Sequence, residues 1–138
     1  MKNLLLMFIL FILSFISNIN AQNKEFNDYY FNDYIVHYSL GKFIGSDKVI
    51  IYDEKKQLGN EDLMYISSDS SVKKLLQIVH IIPSVENYLL LSDYIINANL
   101  ALISFATSNR KKYITYTLKR KNPQDIWSIV SISNGSMN

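Results

Sequence analysis

The sequence predicts an α+β fold: an N-terminal helix and a second helix packed on a curved antiparallel sheet that ends in three consecutive strands. Three observations predict it. Residues 24–45 repeat apolar side chains every four positions, residues 69–82 carry an apolar stripe behind capping residues, and the C-terminal third is rich in Ile, Tyr, Thr and Phe between turn-like clusters.

Ahead of these elements, Lys2 precedes an apolar run from Leu4 to Ile16, after which Ser17, Asn18 and Asn20 end the hydrophobicity and Ala21 supplies a small residue. This order is that of a secretory signal peptide cleaved after Ala21. A bilayer-spanning helix wants about 20 apolar residues, more than the run provides. An uncleaved anchor extended through Ile19 is the alternative. No cysteine follows the run, so a lipid-modified bacterial N-terminus is excluded, and the chain has no cysteine from which to build a disulfide. Residues 1–21 are read as the signal and residues 22–138 as one small α+β domain with a single core. After cleavage the net charge is +1, which excludes the strong positive excess of a nucleic-acid binder.

In the first element, Phe26, Tyr30, Tyr34 and Tyr38 form the stripe and Tyr29, Phe31, Ile35 and Val36 widen it, which predicts one amphipathic helix. The part "YIVHYSL" also alternates as a strand would. Gly41 and Gly45 stop either element. The run "DKVIIYDEKK" predicts a strand, and Leu63 to Ile66 a second one after a turn at Gly59 and Asn60, so that the two pair as a hairpin. In "SSDSSVKKLLQIVHIIPS", Asp69, Ser70 or Ser71 caps a helix that places Val72, Leu75, Leu76, Val79 and Ile82 on one face until Pro83 ends it. The remainder divides at "TSNRK" and "KNPQD" into three antiparallel strands. In the middle one Ile114, Tyr116 and Leu118 form the expected core face. In the last, Ile126, Val130 and Ile132 oppose Trp127 and Ile129, which predicts partial cover on both faces.

This order of elements, closing on "DIWSIVSIS", resembles the cone-shaped fold of the nuclear transport factor two-like superfamily over most of residues 24–133, and is similar to the cystatin-like layout of a helix across an antiparallel sheet. The resemblance implies a pocket between the concave sheet face and the N-terminal helix. It does not imply a reaction.

His37 and His80 are the only histidines. Asp33, one helical turn before His37, could orient its ring, and the resemblance implies that such a pair at a pocket can serve as general acid and base. A hydrogen-bonded structural histidine explains His37 equally well, and His80 needs no function. No metal site is expected. The acidic pairs Asp53 with Glu54 and Glu61 with Asp62 lack the spacing of a calcium loop and read as solvated turn residues. No cofactor is expected either, because the four glycines assemble no phosphate loop.

Charge and aromatic placement point instead to a protein-binding surface. Residues 22–93 hold 7 basic and 11 acidic residues, whereas residues 94–138 hold 6 basic residues and only Asp125. The two halves can attract each other within the fold. The basic clusters at 110–112 and 119–121 fall at opposite ends of a strand, roughly 26 Å apart. They serve as solvated hairpin ends or as a surface for an acidic partner. Tyr30, Tyr34 and Tyr38, with Lys111, Lys112 and Arg120, are therefore the candidate binding residues, the tyrosines being otherwise a helix face packed on the sheet.

The expectation is an exported bacterial envelope domain, periplasmic or extracellular, that binds another envelope protein as an inhibitor or immunity protein and holds no membrane span once the signal is removed. A small-ligand-binding or enzymatic cone domain with Asp33 and His37 at its pocket is the alternative. Without a catalytic constellation the sequence favours a non-enzyme. A homodimer through an exposed strand stays open.

Overall fold

A computed structural model of the chain describes residues 23–69 and 74–137. The expected signal segment, the caps Ser70 and Ser71, and Val72 lie outside the described residues. Two helices pack on one face of a curved seven-stranded sheet, so the α+β class is as expected. None of the described helices is long and apolar enough to cross a membrane.

The first helical segment is broken where one helix was expected. α1 covers 23–32 and α2 covers Tyr34–Ile44, with Asp33 between them in an extended conformation. Its carboxylate accepts from the amide of Ile35 at 2.7 Å, so Asp33 serves as the N-cap of α2. The break rotates the apolar stripe. Phe26, Tyr30 and Phe31 of α1 reach the core, but in α2 Val36, His37 and Leu40 replace Tyr34 and Tyr38 there. Gly45 ends α2 at φ 72°, a left-handed conformation that glycine adopts without a Cβ clash.

β1 is Lys48–Tyr52, β2 Leu63–Ile66, β3 Leu75–Val79, β4 Leu89–Ile96, β5 Leu100–Thr107, β6 Lys112–Lys119 and β7 Ser128–Ser136. They lie in the order β2-β3-β1-β4-β5-β6-β7, with β1 parallel to both β3 and β4 and every other pairing antiparallel. The expected β1–β2 hairpin does not form, because β3 lies between them. The segment expected as the second helix supplies that strand: Leu76 and Ile78 point into the core and their neighbours are half-buried. Its Leu, Ile and Val run, broken only by Gln77, satisfies either period, and one parallel and one antiparallel neighbour favour the strand.

A parallel strand usually requires a long crossover. Here β4 starts where β1 and β3 end, and only Ile51 with Leu89 and Tyr52 with Leu90 are paired across that seam. The nine residues from His80 to Tyr88 are therefore enough to cross the end of β1.

The C-terminal part contains four antiparallel strands, β4 to β7, because a turn at 97–99 divides the first expected strand in two; the last three run consecutively as expected. Register shifts at Ser92 in β4 and at Val130 in β7 mark bulges, which bend and twist a sheet. Ile114, Tyr116 and Leu118 face the core together with Ile103 and Phe105, as the alternation predicts. Aromatic edges fill the space under the helices: Tyr30 meets Phe31 and Tyr116, and Phe26 meets Trp127. The last strand departs from expectation. Trp127 is buried and Ile129 packs against the core, yet Ile126 and Val130 are 80% and 53% exposed, so only one set is covered.

Candidate functional site

The six candidate binding residues do not share one surface. Tyr30 lies in the core with no solvent exposure, and its ring is enclosed by Phe26, Phe31 and Tyr116. Tyr34 and Tyr38 stack on each other at the surface of α2, and the Lys74 ammonium sits 4.7 Å from the centre of the Tyr38 ring. Lys111 and Lys112 are exposed at one end of β6, and Arg120 follows its other end.

Asp33 and His37 occupy one helical turn but address different partners. The Asp33 carboxylate caps α2, whereas the His37 ring is 1% exposed and bonds the Phe31 carbonyl through Nε2 at 2.6 Å. A carbonyl only accepts, so Nε2 carries the proton. Burial pushes the pKa of His37 down, opposed in part by the Phe31 bond and the Asp33 charge. The geometry is that of a neutral side chain clamping the two helices, its ring almost wholly out of contact with solvent.

His80 and Asp53 organise the opposite end of the sheet. Asp53 is fully buried, in contrast with the solvated turn residue expected there, and accepts from the amides of Gln57 and Leu58 at 3.0 and 2.8 Å. The two ring nitrogens of His80 face the carbonyls of Asp53 and Glu61, and its amide bonds Asp62. This network holds the 53–62 connection in place. Among the described residues no cluster of His, Asp and Glu suits a metal ion.

The surface that stands out is the β7 edge. Ser128–Ser136 contains no charged residue, and its outer side meets no other strand among the described residues. Register with β6 puts Lys119 beside Ser128 and Lys112 beside Ser136, so basic side chains stand at both ends. None of the basic residues from 110 to 121 joins an ion pair among the described residues; the pair formed is Lys74 with Asp47, and the His80 ring lies 4.0 Å from the Asp53 carboxylate. The expected attraction between an acidic and a basic half is thus not realised as direct contacts. A natural edge strand of this length is ordinarily blunted by charge, proline, a bulge or cover, and of these β7 carries, among the described residues, the Val130 bulge. The absence of charge in "SIVSISNGS" was the signal in the sequence.

No family model, curated protein or solved structure matches this chain.

Proposed function

We propose that the chain is an exported bacterial envelope domain that recognises another protein by taking an extended segment of it as an added strand along β7. The observation that supports this reading is the nine-residue uncharged edge with basic side chains at both ends. Strand addition supplies main-chain hydrogen bonds for affinity and side-chain positions for specificity. The edge extends about 30 Å at the usual rise per residue, long enough for a partner segment of similar length. The opposite edge, β2, is four residues long and is preceded by Glu61 and Asp62, which makes it a poorer template.

Charge selects the occupant. Antiparallel pairing of two copies through β7 would bring the basic cluster at one end of each strand against the basic cluster at the other end of the second copy. A segment with β-branched residues in the middle and acidic residues at its ends meets no such repulsion. An inhibitor or immunity protein that covers a toxin or hydrolase fits this mode of recognition, and export of the mature chain from Gln22 would place it in the periplasm or outside the cell.

The test is hydrogen exchange of the mature domain with two synthetic peptides that share a Val/Thr core, one flanked by glutamates and one by lysines. Protection of alternate β7 amides by the glutamate-flanked peptide alone is expected, and Val130→Pro, placed at the bulge, should abolish it while far-UV circular dichroism is unchanged. Equal protection by both peptides, or by neither, overturns the reading. Protection that rises with protein concentration in the absence of peptide identifies β7 as a homodimer interface and overturns it as well.

A further inference from the structure

At the end of the sheet where β6 leads into β7, a cleft of about 320 Å³ opens between α1 and the 120–127 connection. Its apolar walls are Tyr29, Ile96 and Trp127, with the exposed Ile126 at its mouth. Its charged groups are Arg120 and Glu25, together with Asp125, whose Oδ2 is already bonded by the amide and side chain of Asn122.

Arg120 is held in one pose before any ligand arrives. Its Nε donates to the Ala98 carbonyl at 2.6 Å, and its guanidinium carbon sits 4.4 Å from the centre of the Trp127 ring. The two terminal nitrogens have no hydrogen-bond partner among the described residues. A guanidinium fixed by its Nε and its face presents those nitrogens as a fork suited to a carboxylate, with little rotamer entropy left to lose. Glu25 lines the same cleft, yet it forms no ion pair with Arg120. Opposite charges thus line one aromatic-walled space without pairing.

We propose that this cleft binds a free apolar α-amino acid. The ligand carboxylate meets the terminal nitrogens of Arg120, its ammonium meets Glu25, and its side chain lies against Tyr29, Ile96 and Trp127. A simple carboxylate would leave Glu25 facing an anion without compensation. A simple amine would leave Arg120 facing a cation. The zwitterion satisfies both, and a peptide terminus offers only one of the two charges. This inference is independent of strand addition at β7.

Trp127 is the only tryptophan in the chain, so its emission reports on this site alone. The experiment titrates the mature protein with L-leucine, N-acetyl-L-leucine and L-leucinamide. A saturable change with leucine is expected, with each blocked derivative weaker by about tenfold or more, as loss of one charge-assisted bond implies. Glu25→Gln should weaken leucine about tenfold but leave N-acetyl-leucine unchanged or tighter, and Arg120→Lys, which keeps the charge but loses the fork, should weaken leucine with the fold retained by circular dichroism. The absence of a saturable response to leucine overturns the proposal. So does equal binding of leucine and leucinamide, or an unaltered affinity in both variants.

Discussion

The imidazole of His37 reaches back across the helix break and bonds the main-chain carbonyl of Phe31 at 2.6 Å, joining the first turn of α2 to the last turn of α1. Both ends of this bond are buried. The two helices are therefore locked at the angle that brings Phe31 and Val36 into one core.

A neutral, buried His37 predicts a specific pH dependence. Its pKa is below the ordinary 6.5 in the folded chain, first because burial disfavours the charged form. The unfolded chain then binds more protons at and just below pH 6.5, so stability falls as the pH drops through that value and levels off below the folded pKa. His37→Gln removes the titration while keeping a donor for Phe31. Thermal melts should show wild type losing stability relative to His37→Gln between about pH 7 and pH 5. His37→Ala, which leaves the carbonyl of Phe31 without its partner, should cost about 1–3 kcal/mol at pH 8. A constant difference between wild type and His37→Gln over that range would show that the ring is not held neutral by burial.

Two glycines with crowded surroundings should respond differently to alanine. A Cβ on Gly41 would lie 2.9 Å from the Ser46 main-chain oxygen, while the Gly41 carbonyl already accepts from both Gly45 and Ser46. Neither backbone can retreat without loosening the end of α2. A Cβ on Gly135 would lie 2.6 Å from the Tyr113 hydroxyl, but Tyr113 is an exposed side chain across the strand pair and can swing aside. Urea denaturation should give a net loss of about 1–2 kcal/mol for Gly41→Ala, after allowance for the better helix propensity of alanine, and less than about 1 kcal/mol for Gly135→Ala. The reverse order would mean that Tyr113 is fixed over Gly135 by more than a cross-strand contact.

What could be read from the sequence followed from local pattern. β1 and β2 have unambiguous bounds, and strict alternation in "YITYTL" identifies the core face of β6. Where two patterns overlap, tertiary context decided. The Leu75–Val79 run suits a helix stripe as well as a strand, and only its place between β1 and β2 makes it a strand. Spacing alone makes Asp33 a neighbour of His37 one turn away, whereas its short carboxylate suits an N-cap better than a helix interior. The turn at 97–99 is hard to see in the sequence because "NAN" offers asparagine without the glycine or proline that punctuates other turns.

The candidate site was less legible for the same reason. Tyr30 belongs to a stripe that includes surface residues, and the break at Asp33, which no count of apolar positions reveals, leaves Tyr30 in the core and turns Tyr34 and Tyr38 out of it. Arg120 was singled out for its charge, but its pose depends on Ala98 and Trp127, contributed by different connections of the sheet. The neutrality of β7 needed no geometry to be seen. What geometry added is that this strand is outermost among the described residues and that its ends adjoin Lys119 and Lys112.

Those two lysines allow the recognition mode to be tested by charge. If acidic residues flanking a partner strand meet Lys112 and Lys119, the double variant Lys112→Glu with Lys119→Glu should bind the glutamate-flanked peptide about three- to tenfold more weakly at low salt, since exposed pairs contribute modestly. The lysine-flanked peptide should gain by a similar factor. Both differences should vanish near 1 M salt, where charges more than about 3 Å apart are screened, while the main-chain hydrogen bonds of strand addition persist. Fluorescence anisotropy of labelled peptides measures each case. A loss of affinity that is independent of salt would place the two lysines in packing rather than in charge recognition, and an unchanged affinity for both peptides would remove charge as the selector of the β7 partner.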